Sequence, residues 1–551
     1  MDYSLLTGVY ARLEGISGRL EMTDVVAEFI KEVPDESLST VLLFLRGTPF
    51  PSWSSLELGI ADKLMVKALS SVSGLAESKL NDLVREKGDI GLVAEEALVS
   101  KPQTTLYSET LTVEKVQENL GRLAKLTGKG SQDKKIAYIT ELLSNASPQD
   151  SRYIVRLILG QLRIGVGDGI IRDAIAKAYE LDPSVVDRAF NMRPDWGEVA
   201  LTAKNRGESG LKDYGIIVGQ PVKVMLAQKA ESLESALEDM GEVELEVKYD
   251  GARLQIHKDK DRVSLFTRRL EDVTRQFPEV VKDSLNHVKA ASAVIEGEVV
   301  AVDVGTRRPL PFQNLSRRIK RKYDIREMVD KIPVEVNLFD IIYHNGGDKS
   351  GLEFRERRQL LSESVDETDR FRLAENLVTT DLKPAENFYK KALDMGHEGV
   401  MVKNLKAPYQ PGSRVGYMYK LKPVMESLDL VVTGGTWGEG RRASWIGSYL
   451  LSVYDPESGG FLEIGRMATG LTDEQLKGLT ELFKPLITSQ EGRSVVIKPK
   501  VVFEVAYEEI QKSPTYSSGY ALRFPRLVRV REDKGVEEAD TLNRVEMMLK
   551  K

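Results

Sequence analysis

The chain of 551 residues contains no cysteine. Disulfides, cysteine-ligated zinc, thiol nucleophiles and iron–sulfur clusters are therefore excluded together. Histidine is scarce as well, with only His257, His287, His344 and His397 in the whole chain. Any metal should then be a hard cation held by carboxylates, and the four histidines are expected to be structural or surface residues. No apolar run approaches the ~18 residues of a membrane span. The N-terminal MDYSLLTGVYARLEG lacks the apolar core of a signal peptide. These absences predict a cytoplasmic protein with no membrane partner.

What is present is the balance of an ordinary globular chain, 41% hydrophobic and 29% charged. At roughly 100–200 residues per domain, the length suits about three domains. The net charge of −6 hides basic clusters at Arg268–Arg269, Arg317–Lys322 and Arg523–Lys534. Affinity for nucleic acid follows local rather than total charge, so a nucleic-acid partner stays open.

Residues 1 to about 215 read as helical, with apolar residues at three- and four-residue spacing in Val25–Val33 and Ser151–Leu162. The region also looks duplicated. LGIADKLMVKAL (Leu58–Leu69) resembles IGVGDGIIRDAI (Ile164–Ile175), and the same offset aligns Gly88–Ala97 with Pro194–Ala203. From about Pro221 short alternating strands take over, interleaved with helical stretches such as Asn387–Met395, as in an α+β domain running to about Lys422. Five further strands then read as a small barrel of the oligonucleotide-binding (OB) kind, LRFPRLVRVRE being the fifth. A polar helix is expected over Val536–Lys551.

The chemistry concentrates in the middle domain. In Glu246-Val247-Lys248-Tyr249-Asp250-Gly251-Ala252-Arg253, strand alternation puts Leu245, Val247 and Tyr249 on one face and Glu246, Lys248 and Asp250 on the other. Arg268 and Arg269 follow a second strand. Glu296-Gly297-Glu298 sets two carboxylates on one face of an apolar strand, which is costly unless they meet cations. Phe339-Asp340 interrupts another apolar strand. Glu398 opens EGVMVK, and Lys420 and Lys422 share a strand face. Together these describe a pocket with a lysine nucleophile, hard-metal ligands and phosphate-binding cations.

The ordered set KYDGAR, TRR, EGE, LFD, EGVMVK, YKLK and RFPRLVRVREDK resembles the lysine-dependent covalent nucleotidyltransferases, and more closely the archaeal and eukaryotic-type ATP-dependent DNA ligases. The likeness covers nearly the whole chain. It implies an all-α DNA-binding domain (1–218), an α+β adenylation domain (219–424) and an all-β OB domain with a C-terminal helix (425–551). It also implies the reaction: AMP from ATP is carried on a lysine, passed to the 5′-phosphate of a nick, and displaced by the 3′-hydroxyl, in replication, repair and recombination.

The resemblance assigns Lys248 as the nucleophile. A free lysine is protonated at neutral pH, with a pKa of about 10.4, and needs nearby cations to become nucleophilic. Glu246 matches the adenine edge, Phe339 the stacking ring and Arg253 the ribose contact. Arg268 and Arg414 match nucleotide contacts, Lys420 and Lys422 hold the α-phosphate, and Glu298 and Glu398 support the metal. Mg2+ is implied, with Mn2+ as a substitute. In the final motif Arg529, Arg531 and Lys534 orient phosphates. Two jobs are open to them, at the pyrophosphate of ATP and at DNA, and serving both predicts a hinge near Lys422–Leu428; the alternative is a rigid barrel whose basic strand only binds DNA.

Arg317 and Arg318 in the basic run, and Arg163 in the glycine-rich Gly160–Gly167, are candidate DNA contacts. Gly434-Gly435 and Gly438-Glu439-Gly440 are expected to be turns. The expected partner is nicked duplex DNA, bound by a monomer, with a sliding clamp as a further partner although no unambiguous clamp-binding box is present. RNA ligases and mRNA capping enzymes share the lysine motif, but the duplicated helical region favours DNA. NAD-dependent ligases carry a cysteine zinc module, which this chain lacks. A non-catalytic relative would be expected to lose Lys248 or a carboxylate, and none is missing.

Overall fold

The computed structural model describes residues 1–54, 56–99, 110–128, 130–319, 325–423, 425–438 and 442–550. The chain divides into two compact units, Met1–Lys422 and Pro423–Lys551.

Among the described residues, the first unit begins with twelve helices. They are α1 (Tyr3–Glu14), α2 (Arg19–Glu32), α3 (Asp35–Leu45), α4 (Asp62–Ser73), α5 (Glu77–Lys87) and α6 (Ile90–Ala97). Then come α7 (Val113–Ala124), α8 (Ser131–Asn145), α9 (Pro148–Ile158), α10 (Asp168–Ala178), α11 (Pro183–Met192) and α12 (Trp196–Lys212). The duplication is real and extends beyond the aligned segments, because α1–α6 and α7–α12 repeat one helix order. The halves interlock. Helix α4 packs on α8 as α10 packs on α2, α6 on α9 as α12 on α3, and α1 on α9 as α7 on α3. The halves meet where Tyr3 N–H donates to the Leu111 carbonyl and Val113 N–H to that of Met1.

Equivalent glycines explain the closest crossings. A Cβ at Gly91 would collide with Arg156 and the Arg152 carbonyl, and one at Gly197 with Ser39. Asp89 and Asp195, just before them, cap α6 and α12 through the backbone N–H groups of Leu92 and Glu198.

The unit continues with β1 (Gln228–Lys229), α13 (Leu233–Met240), β2 (Val243–Lys248), β3 (Ala252–Asp259) and β4 (Arg262–Thr267). Next are α14 (Pro278–His287), β5 (Ser292–Ala301), α15 (Phe312–Ile319), α16 (Ile325–Lys331), β6 (Val334–His344) and β7 (Gly347–Asp348). Helix α17 (Phe354–Ser364), β8 (Phe371–Leu373), β9 (Asn376–Thr379), α18 (Leu382–Asp394), β10 (Gly399–Asn404) and β11 (Met418–Leu421) complete it. Two sheets result, one ordered β1-β11-β10-β2-β9 and the other β4-β3-β5-β6-β7 with β8 beside β6. The helical core continues into this region, since Val294, Ile342, Tyr409 and Met418 join its buried cluster. A cleft of about 610 Å³ opens between the two regions, lined by Arg46, Trp53, Trp196, Lys223, Arg268 and Arg269 among others.

The second unit holds β12 (Leu428–Trp437), β13 (Ile446–Asp455), β14 (Gly460–Met467), α19 (Asp473–Phe483), β15 (Ile487–Glu491) and β16 (Ser494–Ile497). After these come β17 (Val502–Ala506), β18 (Glu509–Lys512), β19 (Tyr520–Arg523), β20 (Arg526–Arg531) and α20 (Leu542–Lys550). This β-rich domain is of the OB kind, with more strands than the five expected. LRFPRLVRVRE is two strands rather than one. Phe524 adopts a positive φ of 50° and turns the chain, so that β19 pairs with β18 and β20 with β17. Gly434 and Gly435 are not a turn. They lie inside β12 at a register shift after Val432, where a Cβ on Gly435 would crowd Ile446 and Ser448. Glu439 and Gly440 lie outside the described residues, as does Val424 of the expected hinge. The terminal helix starts at Leu542, not Val536, which opens a short 3₁₀ turn instead. Among the described residues no helix is long and apolar enough to cross a membrane.

Candidate active site

Strand β2 carries the nucleophile candidate at its end. Leu245 and Val247 enter the apolar cluster under the sheet, so Glu244, Glu246 and Lys248 take the other face. Lys248 pairs in register with Gly399 of β10, which places its ammonium beside Glu398, and the two form a hydrogen-bonded ion pair. Lys422, one residue past β11, reaches the same carboxylate at 2.9 Å. Burial alone would raise the Glu398 pKa. Lys248 and Lys422 more than offset that and hold it below the usual range. Glycine is required at Gly251, where a Cβ would run into the Val299 carbonyl oxygen and the Glu298 side chain.

The two carboxylates of EGE, equivalent in the sequence, have different fates. Glu296 is fully buried and accepts from Arg253, from Gln255 Nε2 at 3.2 Å and from the Tyr409 hydroxyl at 2.9 Å. Glu298, opposite Arg253 in the β3–β5 ladder, is half-buried. Burial pushes its pKa up to about 7, with Glu398 and Asp250 adding to the rise and Lys248 and Arg253 opposing it. A carboxyl strained in this way by burial and like charge is suited to a hard cation.

Phe339 is the one half-exposed residue in the buried run Val334–Ile342 of β6. Arg253 lies 5.2 Å and Lys403 4.6 Å from its ring centre. Glu246 is 2% exposed, is bound by Lys403 Nζ at 2.5 Å, and keeps Oε1 without a hydrogen-bond partner. Arg253 likewise has a buried Nε without one. Both orphaned groups suit a polar ligand. Burial, and then the like charges of Arg253 and Arg414, lower the Arg268 pKa. Arg414 is exposed on the loop before β11, and Lys420 lies within β11 opposite Met401.

Sequence reading missed Lys403, although it ends the quoted EGVMVK. It also missed Tyr409, which carries no composition signal of its own. Arg357, paired with Asp340 at 2.8 Å, was missed too; it explains how the acid after Phe339 is tolerated in the strand.

The DNA candidates separate. Arg317 is exposed on α15. Arg318, expected beside it as a DNA contact, is fully buried: it ion-pairs with Glu279 and donates to the carbonyls of Gln276 and Ile332. Successive helical residues point about 100° apart, so neighbouring arginines need not share a surface. Lys320, Arg321 and Lys322 lie outside the described residues. Arg163 is exposed, with a positive φ of 60°, and its guanidinium reaches Asp89 at 3.2 Å. In the second unit Arg531 and Lys534 converge on Asp429 at 2.9 and 2.6 Å, and Arg529 pairs with Glu504.

Three family models match the chain in order: DNA ligase N terminus over residues 2–176, ATP dependent DNA ligase domain over 224–422, and ATP dependent DNA ligase C terminal region over 442–534. The chain belongs to the ATP-dependent DNA ligases. The DNA ligase of Archaeoglobus fulgidus is 49% identical over 540 residues, 98% of this chain and 97% of that one. The DNA ligase of Thermococcus onnurineus is 47% identical over 546 residues, 99% and 97% of the two chains. A solved structure described as Pmar-Lig_PreS3 shares the fold, with a TM-score of 0.58 at 17% identity over 96% of this chain and 99% of its own.

Proposed function

We propose that this ligase seals 5′-phosphate/3′-hydroxyl nicks in duplex DNA through AMP carried on Lys248. Lys248 Nζ attacks the α-phosphorus of ATP, an N–P bond forms, and the P–O bond to pyrophosphate breaks. Glu398, already hydrogen-bonded to that ammonium, is the acceptor at hand for its proton. An oxygen of the nick's 5′-phosphate then attacks the same phosphorus and the N–P bond breaks. Finally the 3′-hydroxyl attacks the 5′-phosphate and AMP leaves.

Phe339 offers the adenine a stacking face and Glu246 a carboxylate oxygen at its edge. Arg253 Nε reaches the ribose, Arg268 and Arg414 bind the nucleotide, and Lys420 and Lys422 hold the α-phosphate. Glu298 and Glu398 would hold Mg2+, or Mn2+ in its place, and a divalent ion there would neutralise phosphate charge that repels attack. Arg531 and Lys534 orient phosphates by exchanging Asp429 for them, and the second unit swings about a hinge near Lys422–Leu428. Arg163 and Arg317 contact the DNA backbone, bound by a monomer. The sliding clamp as a further partner rests on the resemblance alone.

The observation that carries this reading is the Lys248 ammonium held by Glu398, two residues along β2 from Glu246, whose ion-pair partner Lys403 lies 4.6 Å from the half-exposed Phe339 ring. The test is incubation with ATP, Mg2+ and a nicked DNA duplex beside a nicked RNA duplex. Sealing of the DNA is expected; sealing of RNA alone would refute the reading.

A further inference from the structure

Strand β3 presents Arg253, Gln255 and His257 on one face, each two residues from the next. All three reach the same stretch of backbone, the segment between α12 and β1 that joins the helical region to the strand-and-helix region. Arg253 Nη1 donates to the Met225 carbonyl at 3.0 Å. Gln255 both accepts from Val222 N–H at 2.8 Å and donates to the Val222 carbonyl at 3.3 Å. His257 Nδ1 accepts from Gly219 N–H at 3.1 Å.

The row is cross-linked laterally. His257 Nε2 donates to Gln255 Oε1 at 2.8 Å, and burial pushes the His257 pKa down to about 3, so the ring is neutral and keeps one donor and one acceptor nitrogen. Gln255 Nε2 donates to Glu296, its cross-strand partner, which also accepts from Arg253. Tyr409 closes the circuit: its hydroxyl donates to Glu296 at 2.9 Å and accepts from Met225 N–H at 3.0 Å. Buried polar side chains are costly unless satisfied. Here every link has a partner except Arg253 Nε, the donor left over once both terminal nitrogens are bound to the segment and to Glu296.

We propose that Tyr409 and Gln255 are positioning residues that fix Arg253 to the segment at Val222–Met225, so that the path of this segment sets the aim of the arginine at the nucleotide ribose. This rests on the proposed nucleotide pocket, with Arg253 as its ribose contact. The physical logic is that a flexible arginine chain held at two nitrogens presents the third in one direction. Tyr409 ties the donor side of Met225 to the carboxylate that holds Arg253, and Gln255 ties both sides of Val222. Neither touches the reacting atoms.

The test is self-adenylation of the full chain with ATP and with 2′,3′-dideoxy-ATP, which lacks both ribose hydroxyls. Tyr409→Phe keeps the ring and loses only the hydroxyl. It is expected to raise the KM for ATP about ten-fold, the scale of one buried hydrogen bond, while changing kcat less than about two-fold. The KM for the dideoxy nucleotide should move less than about two-fold. Gln255→Leu, checked for folding by circular dichroism, should show the same selective loss. Equal increases in KM for both nucleotides, or an unchanged ATP KM in a folded variant, would overturn the proposal. A wild-type enzyme that is labelled by both nucleotides without favouring ATP would overturn the ribose role of Arg253 and this proposal together. Absence of any labelling in the wild type would instead strike at the ligase mechanism itself.

Discussion

The ammonium of Lys248 and the carboxylate of Glu398 are joined by a hydrogen-bonded ion pair between β2 and the residue just before β10, held in place by the pairing of Lys248 with Gly399. The pair sets the state from which the lysine must act. The nitrogen lone pair becomes available only when the ammonium gives up a proton, and Glu398 is the acceptor within hydrogen-bond reach.

Glu398→Ala should therefore damage chemistry more than folding. The side chain is 15% exposed and leaves two lysines behind rather than an apolar void. Self-adenylation at limiting Mg2+ should fall by roughly 100-fold, while the melting temperature drops by no more than a few degrees. Normal rates at limiting Mg2+ would remove Glu398 from the metal-supporting role.

In the second unit, Asp429 holds both Arg531 and Lys534, so freeing these cations for phosphate means giving up an internal partner. Arg531→Ala combined with Lys534→Ala should lower self-adenylation by roughly 100-fold or more, and largely spare sealing of a nick that already carries AMP. The reverse pattern, normal labelling with sealing lost, would make the motif a DNA grip and end the two-position account.

Glu244, buried next to Glu246 on β2, gives a pH prediction. Burial, and then the Glu246 charge, push its pKa up to about 7, against Arg358 and Lys403. Arg358 stands 3.3 Å away yet makes no hydrogen bond to that oxygen. A carboxyl with a raised folded-state pKa binds its proton more tightly when folded. Stability is thus greatest below the unfolded pKa of about 4.5 and falls as pH rises towards 7. Glu244→Gln removes this penalty. Relative to wild type it should gain roughly 2–3 kcal/mol between pH 5 and pH 8 in urea unfolding. A pH-independent difference would show that Glu244 is ionised throughout.

Much of the site was legible because its residues stand out against their strands. A lysine between carboxylates, paired acids in an apolar run and an aromatic–acid interruption each break the local pattern. The helical duplication was readable for the same reason, from two aligned segments. What was hidden depends on direction in space. Arg317 and Arg318 are one basic run in the sequence, but the turn of α15 exposes one and buries the other. Glu296 and Glu298 look identical until the packing buries Glu296 against Arg253, Gln255 and Tyr409 and leaves Glu298 half-buried. Gln255 and Tyr409 carry no signal, because their partners are the backbone of a segment distant in sequence and the buried Glu296. In the second unit the strands β15, β16 and β18 were missed because four or five residues are too few for an alternation to stand out, and β19 was merged with β20 in LRFPRLVRVRE.

The central claim is that Lys248 carries AMP. The most direct measurement is incubation with α-labelled ATP and Mg2+ without DNA, followed by mapping of the labelled peptide, in wild type and in Lys248→Ala. The account predicts one acid-labile label on the peptide containing Lys248, and none in the folded variant. A label that persists in Lys248→Ala, or that maps to another lysine in the wild type, would contradict it.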